Sequence, residues 1–282
     1  MRRGANTWAA LRGLCRLFRL PLALMNGTAA LGGYLLFPSA ADALAGGAVF
    51  LGVSLLAAAA SCFNQVLERT PDALMRRTRN RPLPSGELSP LAAILLGSAP
   101  LLAGGALLAL FGGAVPLALG LATLLWYLAV YTPLKRVTCF ALLLGALCGC
   151  AAPVIGWSVA GGDAADFRIV LLGGILYLWQ VPHFWMLQRR HARDYREAGF
   201  ALFSPDGGGR GLAPFQLVWM TAMIAGALML PAFGIITQNA PLWCLAFSAP
   251  LLVSPFQRLE PALFAGVNLF PAVVTLALYS GR

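Results

Sequence analysis

Long uncharged apolar runs dominate this sequence and limit what it can fold into. Residues 43–63, for example, contain no charged side chain. Over all 282 residues, 59% are hydrophobic and only 11% are charged, whereas a soluble domain has about 25% charged residues. One soluble core could not bury this much apolar surface, so the expected solvent for the chain is a lipid bilayer.

Nine of the apolar runs are long enough to span a bilayer, which takes about 20 apolar residues. Lipid offers the backbone no hydrogen-bond partners, so spans must be helices or the strands of a closed barrel. Barrel strands alternate in polarity, and these runs do not. We therefore predict an all-α membrane protein whose single domain, residues 1–282, is a nine-transmembrane-helix bundle. The predicted spans are residues 17–37, 43–66, 91–112, 114–134, 137–159, 167–188, 213–235, 240–257 and 261–279.

The basic residues predict how the bundle is oriented. With the N-terminus inside, 18 of the 20 Lys and Arg residues fall on or beside inner segments, and only Arg168 and Arg282 do not. This asymmetry is the positive-inside bias of membrane proteins. The inner segments are a basic arm (1–16), two cap loops (67–90 and 189–212) and the turns at 135–136 and 258–260.

The charge distribution also predicts location and partners. We expect a multi-pass protein of the bacterial or mitochondrial inner membrane, with its N-terminus on the cytoplasmic or matrix side. The net charge of +10 fits membrane orientation and anionic ligands or lipid head groups. No nucleic acid is expected as a partner, because the basic residues lie in short membrane loops and not on a separate basic domain.

A first polar cluster lies at the inner end of the second span. Asn64, Glu68 and Asp72 are spaced by four residues, so they share a helical face unless Pro71 breaks it. We expect the two carboxylates at a water-facing helix end. Oxygen side chains suit Mg²⁺, and the arginines of residues 76–81 suit phosphate. The alternative is an ordinary positive-inside loop whose few acids offset its arginines.

Two more clusters are predicted on the inner side. Lys135 and Arg136, in the motif YTPLKR that begins at Tyr131, are either orientation charges or phosphate partners. His183 lies within the sixth span, where an ionisable residue is a functional candidate. Asp194 and Glu197 are three residues apart and could hold a second cation from one helical face. The alternative for His183 is a histidine hydrogen-bonded inside the bundle.

These motifs resemble those of the UbiA superfamily of intramembrane prenyltransferases, and within it the protohaem IX farnesyltransferases, or haem O synthases. The first cluster followed by RTRNRPL (77–83) matches the first family motif. YTPLKR, APVIGW (152–157), WQVPHF (179–184) and DYREAG (194–199) follow in the family's order. The likeness covers about residues 10 to 200, and WQVPHF favours the haem branch over the quinone branch.

The resemblance implies a nine-helix bundle of the UbiA prenyltransferase type, with a central cavity open to lipid under the two cap loops. It implies transfer of a farnesyl group from farnesyl diphosphate to a vinyl group of protohaem IX, with Mg²⁺ assisting departure of the diphosphate. His183 would contact the haem or handle a proton. The residues implied as catalytic are Asn64, Glu68, Asp72, His183 and Asp194; as metal ligands Asn64, Glu68, Asp72, Asp194 and Glu197; as diphosphate ligands Arg77, Arg81, Tyr131, Lys135 and Arg136.

The chain departs from the family pattern at two places. Arg193 stands where the family usually has an acidic residue, which affects the second cation site. From residue 200 onward the chain reads FALFSPDGGGRG (200–211), a Gly-rich segment that is either a flexible lid or a glycine linker. Two alternative functions remain at this point. One is polyprenyl transfer to a quinone-precursor ring or a lipid, and the other is a non-catalytic haem-handling membrane protein or a transporter.

The predicted topology can be tested at the C-terminus. A reporter that is active only in the cytoplasm, fused after Arg282, should give no signal, because nine spans from an inner N-terminus end outside. The same reporter placed in the 67–90 loop should be active. Strong activity after Arg282 would mean that the number of spans is even.

Overall fold

The computed structural model describes residues 11–38, 42–201, 214–253 and 260–280, and all regular structure in these ranges is helical. Most of the Gly-rich segment and most of the basic arm lie outside the described residues. The helices are α1 (11–17), α2 (Leu20–Leu36), α3 (Ala43–Leu67), α4 (Arg69–Leu74), α5 (Pro90–Gly112), α6 (Ala114–Leu125), a π-helix (Trp126–Tyr131), α7 (Thr132–Leu134), α8 (Ala141–Val159), α9 (Phe167–Arg190), α10 (Ala192–Glu197), α11 (Pro214–Ala232), α12 (Ala240–Val253) and α13 (Glu260–Ser280).

Six helical segments in the described part are long and apolar enough to cross a membrane. They are Ala43–Leu67, Pro90–Gly112, Ala114–Leu134, Ala141–Val159, Phe167–Arg190 and Pro261–Ser280. Three shorter apolar helices, Leu20–Leu36, Gln216–Ala232 and Ala240–Ala249, lie at the positions of the other predicted spans. The chain is therefore an all-helical, multi-pass integral membrane protein.

The helix boundaries agree with the predicted spans to within a few residues. The start of α8 is one place where they differ. It begins at Ala141, whereas the predicted span begins at residue 137. The backbone N–H of Phe140 donates to the Thr138 hydroxyl at 3.2 Å. Such local side-chain bonds offer the backbone an alternative to helix, so a turn occupies the start of the apolar run.

The second span ends in a break, as the sequence suggested from Pro71. α3 ends at Leu67 and α4 begins at Arg69. In a continuous helix, the ring of Pro71 would clash with the carbonyl of Leu67, four residues earlier. The helix therefore ends at Leu67, and Pro71 occupies the first turn of α4, where a missing N–H is tolerated.

Small residues allow α2 and α8 to pack closely at the centre of the bundle. A Cβ atom on Gly156 would lie 1.8 Å from the carbonyl oxygen of Ala30, and one on Gly33 would lie 1.9 Å from that of Pro153. Helices in lipid associate through such close backbone approaches. On the outer surface, leucines such as Leu102 and Leu110 are 72% and 80% exposed, as expected for side chains that face lipid.

The two cap loops contain short helices that fold over the inner end of the bundle. The backbone N–H of Arg77, after α4, donates to Oδ2 of Asp194 in α10 at 3.2 Å. The backbone N–H of Ala201 donates to the carbonyl of Lys135 at 3.1 Å. These bonds connect the first cap loop, the second cap loop and the end of α7 into one cover.

The close contact between α2 and α8 predicts that alanine lowers the stability of the protein at Gly156 but not at a glycine with open space around it. Gly156→Ala should lower the stability of the detergent-solubilised protein by about 2 kcal/mol, because the new methyl group overlaps a backbone carbonyl. The control is Gly174→Ala in α9, where a Cβ meets nothing within 4 Å; thermal unfolding of both variants provides the comparison. Equal melting temperatures for Gly156→Ala and the parent protein would contradict this packing.

Candidate active site

A cavity of about 670 Å³ lies among α2, α3, α6, α8 and α9. Its inner end, beneath the cap, is polar and contains Glu68, Asp72, Arg81 and Lys135. Its deeper walls are largely apolar, with residues such as Val53 and Ile155. The cavity has one charged end and one long apolar compartment. This combination suits an amphiphilic ligand with an anionic head.

The first charged pair joins Glu68 to Lys135 at the inner end of the cavity. Nζ of Lys135 lies 2.8 Å from Oε1 and 2.9 Å from Oε2 of Glu68. The ammonium also lies 4.9 Å from the ring centre of Tyr131 and 5.9 Å from that of Phe200. Burial lowers the pKa of Lys135, and the neighbouring Glu68 carboxylate opposes that shift.

The second charged pair joins Asp72 to Arg81. Nη1 of Arg81 donates to Oδ2 of Asp72 at 2.6 Å. Burial first, and then the nearby Arg19 charge, lower the pKa of the Arg81 guanidinium to about 10, so it remains charged at neutral pH. Thr78 closes the loop between the two partners by donating its hydroxyl to the carbonyl of Asp72 at 2.7 Å.

Our expectation that the two carboxylates face water is wrong. Glu68 is 3% exposed and Asp72 is 2% exposed. The cap loop folds back over α4 and places a cation against Asp72, while the end of α7 places another against Glu68. Buried carboxylates require such partners, because an unpaired charge away from water is very costly.

Asn64 completes the predicted first cluster from the end of α3. Its Nδ2 donates to the hydroxyl of Thr132 at 3.0 Å, and that hydroxyl donates to the carbonyl of Tyr127 at 2.8 Å. The bond between Asn64 and Thr132 joins α3 to the residue that follows the π-helix. The π-helix contains Tyr127 and Tyr131. Short π segments are frequent at functional sites. Tyr131 lines the cavity together with Glu68 and Asp72, whereas Asn64 is fully buried behind that lining.

The donor atoms of this cluster fit a hard divalent cation. Oδ1 of Asn64 is buried and has no hydrogen-bond partner within the described residues. Together with the carboxylates of Glu68 and Asp72 it offers only oxygen, the ligand type that Mg²⁺ prefers while keeping waters and phosphate oxygens. The set consists of two carboxylates and an amide. No group of three or more His, Cys, Asp and Glu side chains able to hold a metal occurs in the described ranges.

The second predicted cation site is not assembled in the same way. Asp194 is 8% exposed and accepts the backbone N–H of Arg77. Glu197 points away on an exposed face and pairs with Arg193 at 2.6 Å. The Glu197 carboxylate is thus already paired with Arg193, the residue that departs from the family pattern. The roles of Asp194 and Glu197 as metal ligands stay predictions.

The remaining predicted phosphate ligands differ in position. Arg77 lines the cavity with Arg81 and Lys135, and Tyr131 lies beside them. Arg136 is exposed and does not belong to the cavity lining. Its role as a diphosphate ligand also stays a prediction.

His183 lines the cavity from α9, beyond the charged end. Its ring stacks on Trp179 with centroids 4.9 Å apart and meets Phe184 edge to face at 5.2 Å. Its Nδ1 is buried and has no hydrogen-bond partner among the described residues. An aromatic wall with an imidazole that has unused hydrogen-bonding capacity suits a flat, hydrophobic acceptor.

Comparison with known proteins assigns the chain to a family. The profile described as the UbiA prenyltransferase family matches residues 25–277. This chain belongs to the UbiA prenyltransferase family. A protohaem IX farnesyltransferase of Geobacter sulfurreducens is 52% identical over 264 residues, which cover 93% of this chain and 96% of that protein. One of Oleidesulfovibrio alaskensis is 40% identical over 96% of this chain and 97% of that protein.

Solved structures show that the UbiA fold is shared. An apo UbiA homologue from Aeropyrum pernix K1 has a TM-score of 0.71 at 21% identity, covering 93% of this chain and 97% of that chain. A UbiA homologue from Archaeoglobus fulgidus, bound to GPP and Mg²⁺, has a TM-score of 0.65 at 17% identity, covering 95% and 99%. The recognition of the UbiA superfamily from sequence motifs is therefore confirmed.

Arg16, Arg19 and Gln180 are among the polar residues that line the cavity of this UbiA prenyltransferase and that sequence reasoning missed. Arg16 and Arg19 lie at its inner end, although the sequence suggested only a role in orientation. Arg19 has a left-handed backbone (φ 47°) between α1 and α2. Gln180 lines the apolar part from α9. A polar side chain in an apolar span was the available signal for Gln180, and His183 in the next turn was chosen instead.

The Glu68–Lys135 pair predicts strong thermodynamic coupling. Glu68→Gln and Lys135→Met should each destabilise the detergent-solubilised protein, because each leaves a buried partner uncompensated. The double variant should be more stable than the sum predicts, by about 1–3 kcal/mol. Equilibrium unfolding of the four proteins measures this difference.

The control is the same cycle on the exposed Arg193–Glu197 pair, where a coupling of about 0.5 kcal/mol is expected. Additive effects for Glu68 and Lys135, equal to those of the exposed pair, would show that the two charges do not interact in the folded protein.

Proposed function

We propose that this chain is a protohaem IX farnesyltransferase, which transfers a farnesyl group from farnesyl diphosphate to a vinyl group of protohaem IX to give haem O. The observation that carries the proposal is the 52% identity to a protein of that name over 93% of the chain. The cavity supports it with a charged end for a diphosphate and an aromatic wall for a macrocycle.

The topology that accompanies this function has nine spans, with the N-terminus on the cytoplasmic or matrix side of an inner membrane. The positions of six long and three shorter apolar helices support it, as does the distribution of Lys and Arg in the sequence. In this orientation the cap faces the aqueous compartment on the side of the donor's diphosphate head group. The isoprenoid chain and the acceptor enter from lipid.

The inner end of the cavity binds the diphosphate of the donor. Asn64, Glu68 and Asp72 would hold Mg²⁺, which would supply positive charge to the diphosphate oxygens. Arg77 and Arg81 donate to phosphate oxygens in pairs, and Lys135 adds a point charge. As the diphosphate leaves, negative charge grows on its oxygens, and these fixed cations stabilise that charge without reorganising.

The charge balance of the free protein favours this binding. Lys135 and Arg81 use their charges on Glu68 and Asp72, while no ion pair is recorded for the guanidinium of Arg77 in the described part. The tight cation–carboxylate pairs keep the acids from repelling each other before the ligands arrive. With a cation held by Glu68 and Asp72, the side chains of Lys135 and Arg81 would be available to bind the diphosphate.

The apolar part of the cavity protects the reacting carbon atoms. Loss of diphosphate leaves an allylic cation on the donor, which water would consume. Walls made of residues such as Val53, Leu56 and Ile155 exclude bulk water from that cation. His183 contacts the acceptor in this compartment, while Asp194 acts at a distance by holding Arg77 and the cap in place.

A reconstituted assay tests the function. Purified protein with farnesyl diphosphate, protohaem and Mg²⁺ should yield farnesylated haem by mass spectrometry, and removing divalent cations should abolish it. Asp72→Asn keeps shape but removes one ligand charge, so turnover should fall about 100-fold. The matched control is Asp166→Asn, which changes a carboxylate at the N-terminus of α9, away from the cavity. Failure on protohaem with prenylation of a phenolic acid would instead establish a quinone-type prenyltransferase.

His183 provides a prediction specific to the acceptor. His183→Gln keeps a hydrogen-bonding side chain of similar size but loses basicity and affinity for haem iron. We expect normal insertion and normal binding of farnesyl diphosphate, with loss of prenylated haem. Donor binding is measured by isothermal calorimetry and product by mass spectrometry.

The control is His191→Gln, which changes the other histidine of the chain, at the start of α10 and outside the cavity lining. Full haem prenylation by His183→Gln would show that His183 only fills space.

A further inference from the structure

Two arginines end α9, and they continue different faces of that helix. His183 and Leu187 both line the cavity. Arg190 follows them at spacings of four and three residues, which keep side chains on one helical face. Arg189 instead lies four residues after Trp185, which does not belong to the cavity lining. The cavity face of α9 therefore leads to Arg190 at its inner end.

An aromatic ring on α13 connects Arg190 to the imidazole in the cavity wall. Cζ of Arg190 lies 5.3 Å from the ring centre of Phe264. That ring stacks on His183, with centroids 6.4 Å apart and planes inclined by 14°. Arg189 makes a similar contact with Trp185 at 4.9 Å, but Trp185 is only 1% exposed and lies behind the lining. Phe264 thus holds the head group of Arg190 beside the acceptor wall.

The guanidinium of Arg190 is available to bind an anion. The ion pairs recorded within the described residues use Arg81, Lys135, Arg168 and Arg193, and none uses Arg190. The side chain is exposed, so a ligand can reach it. Stacking on a ring leaves the N–H groups of a guanidinium free, and their planar fork matches the two oxygens of a carboxylate.

The proposed acceptor has two carboxylates that need a site of their own. Protohaem carries its propionates on the side of the macrocycle opposite its vinyl groups. Because a vinyl group must reach C1 of the donor, the propionates point away from the diphosphate. Placing them beside the diphosphate would also bring like charges together in a cavity sheltered from water, which is costly. The cations at the charged end of the cavity therefore do not serve the propionates.

We propose that Arg190 binds a propionate carboxylate of the acceptor and makes the enzyme selective for an acid-bearing macrocycle; this rests on the proposed function. The macrocycle lies against His183 with its vinyl edge towards the donor and its propionate edge towards the inner ends of α9 and α13. Two N–H groups of Arg190 donate to the two oxygens of one carboxylate. Phe264 is a positioning residue, because it fixes the guanidinium from behind.

Protohaem and its dimethyl ester measure this selectivity, since the ester keeps the vinyl groups and the macrocycle but has no ionised carboxylate. The parent protein should use protohaem with a kcat/KM about tenfold higher than the ester, mainly through KM, the effect of one charge-assisted hydrogen-bonded pair. Arg190→Met should bring the ratio of the two values close to one by losing activity on protohaem alone. Arg190→Glu should make the ester the better acceptor, because a carboxylate repels a propionate.

The matched control is Arg189→Met, which removes the same charge from the neighbouring position and from the same inner end of α9. If the two arginines only orient the helix in the membrane, both Met variants behave alike. We expect Arg189→Met to keep the parent's ratio. Arg190→Lys keeps the charge but not the fork, so it should retain part of the preference for protohaem.

The remaining outcomes contradict the proposal in distinguishable ways. A parent-like ratio in Arg190→Met, or an equal loss of activity on both acceptors, would overturn the role of Arg190. The same change in Arg189→Met would also overturn it, because any positive charge at this helix end would then suffice. Equal use of both acceptors by the parent protein would refute propionate recognition and leave farnesyl transfer intact. Absence of prenylated product from either acceptor with the parent protein would refute both.

Discussion

Two buried pairs of opposite charge, Glu68–Lys135 and Asp72–Arg81, control the inner end of this molecule. Both carboxylates are almost fully buried; Asp72 meets Arg81 of the same cap loop, and Glu68 meets Lys135 at the end of α7. Such pairs add little net stability, because desolvation offsets most of the attraction. In the proposed function, these pairs hold the charged side chains in place before a metal and a diphosphate bind.

The rest of the fold places these charges at the inner end of a cavity whose deeper walls are apolar. Because α3 ends at Leu67, the chain can turn and bring Asp72 under the cap. Glycines such as Gly156 let α2 and α8 approach closely. The cavity therefore combines strong fixed charge with exclusion of water, the two conditions that allow a diphosphate to leave and its allylic cation to react with a chosen partner.

The spans were the predictable part of this structure. Lipid forces long apolar runs into helices, so the runs alone located helices such as α3 and α5 to within a residue or two. The spacing of four residues indicated that Glu68 and Asp72 lie near each other, and both line the cavity; their role as metal ligands stays a prediction. Their ion pairs were not predictable, because Lys135 meets Glu68 across 67 positions of sequence, and only packing brings them together.

The most direct test of the central claim is a structure of the purified protein with Mg²⁺ and a non-reactive thio analogue of farnesyl diphosphate. We expect the diphosphate to lie between the Asn64–Glu68–Asp72 cluster and the side chains of Arg77, Arg81 and Lys135, with the Glu68–Lys135 distance increased. The isoprenoid should extend into the apolar cavity. A diphosphate bound elsewhere, with both ion pairs intact, would contradict the proposed roles of these residues.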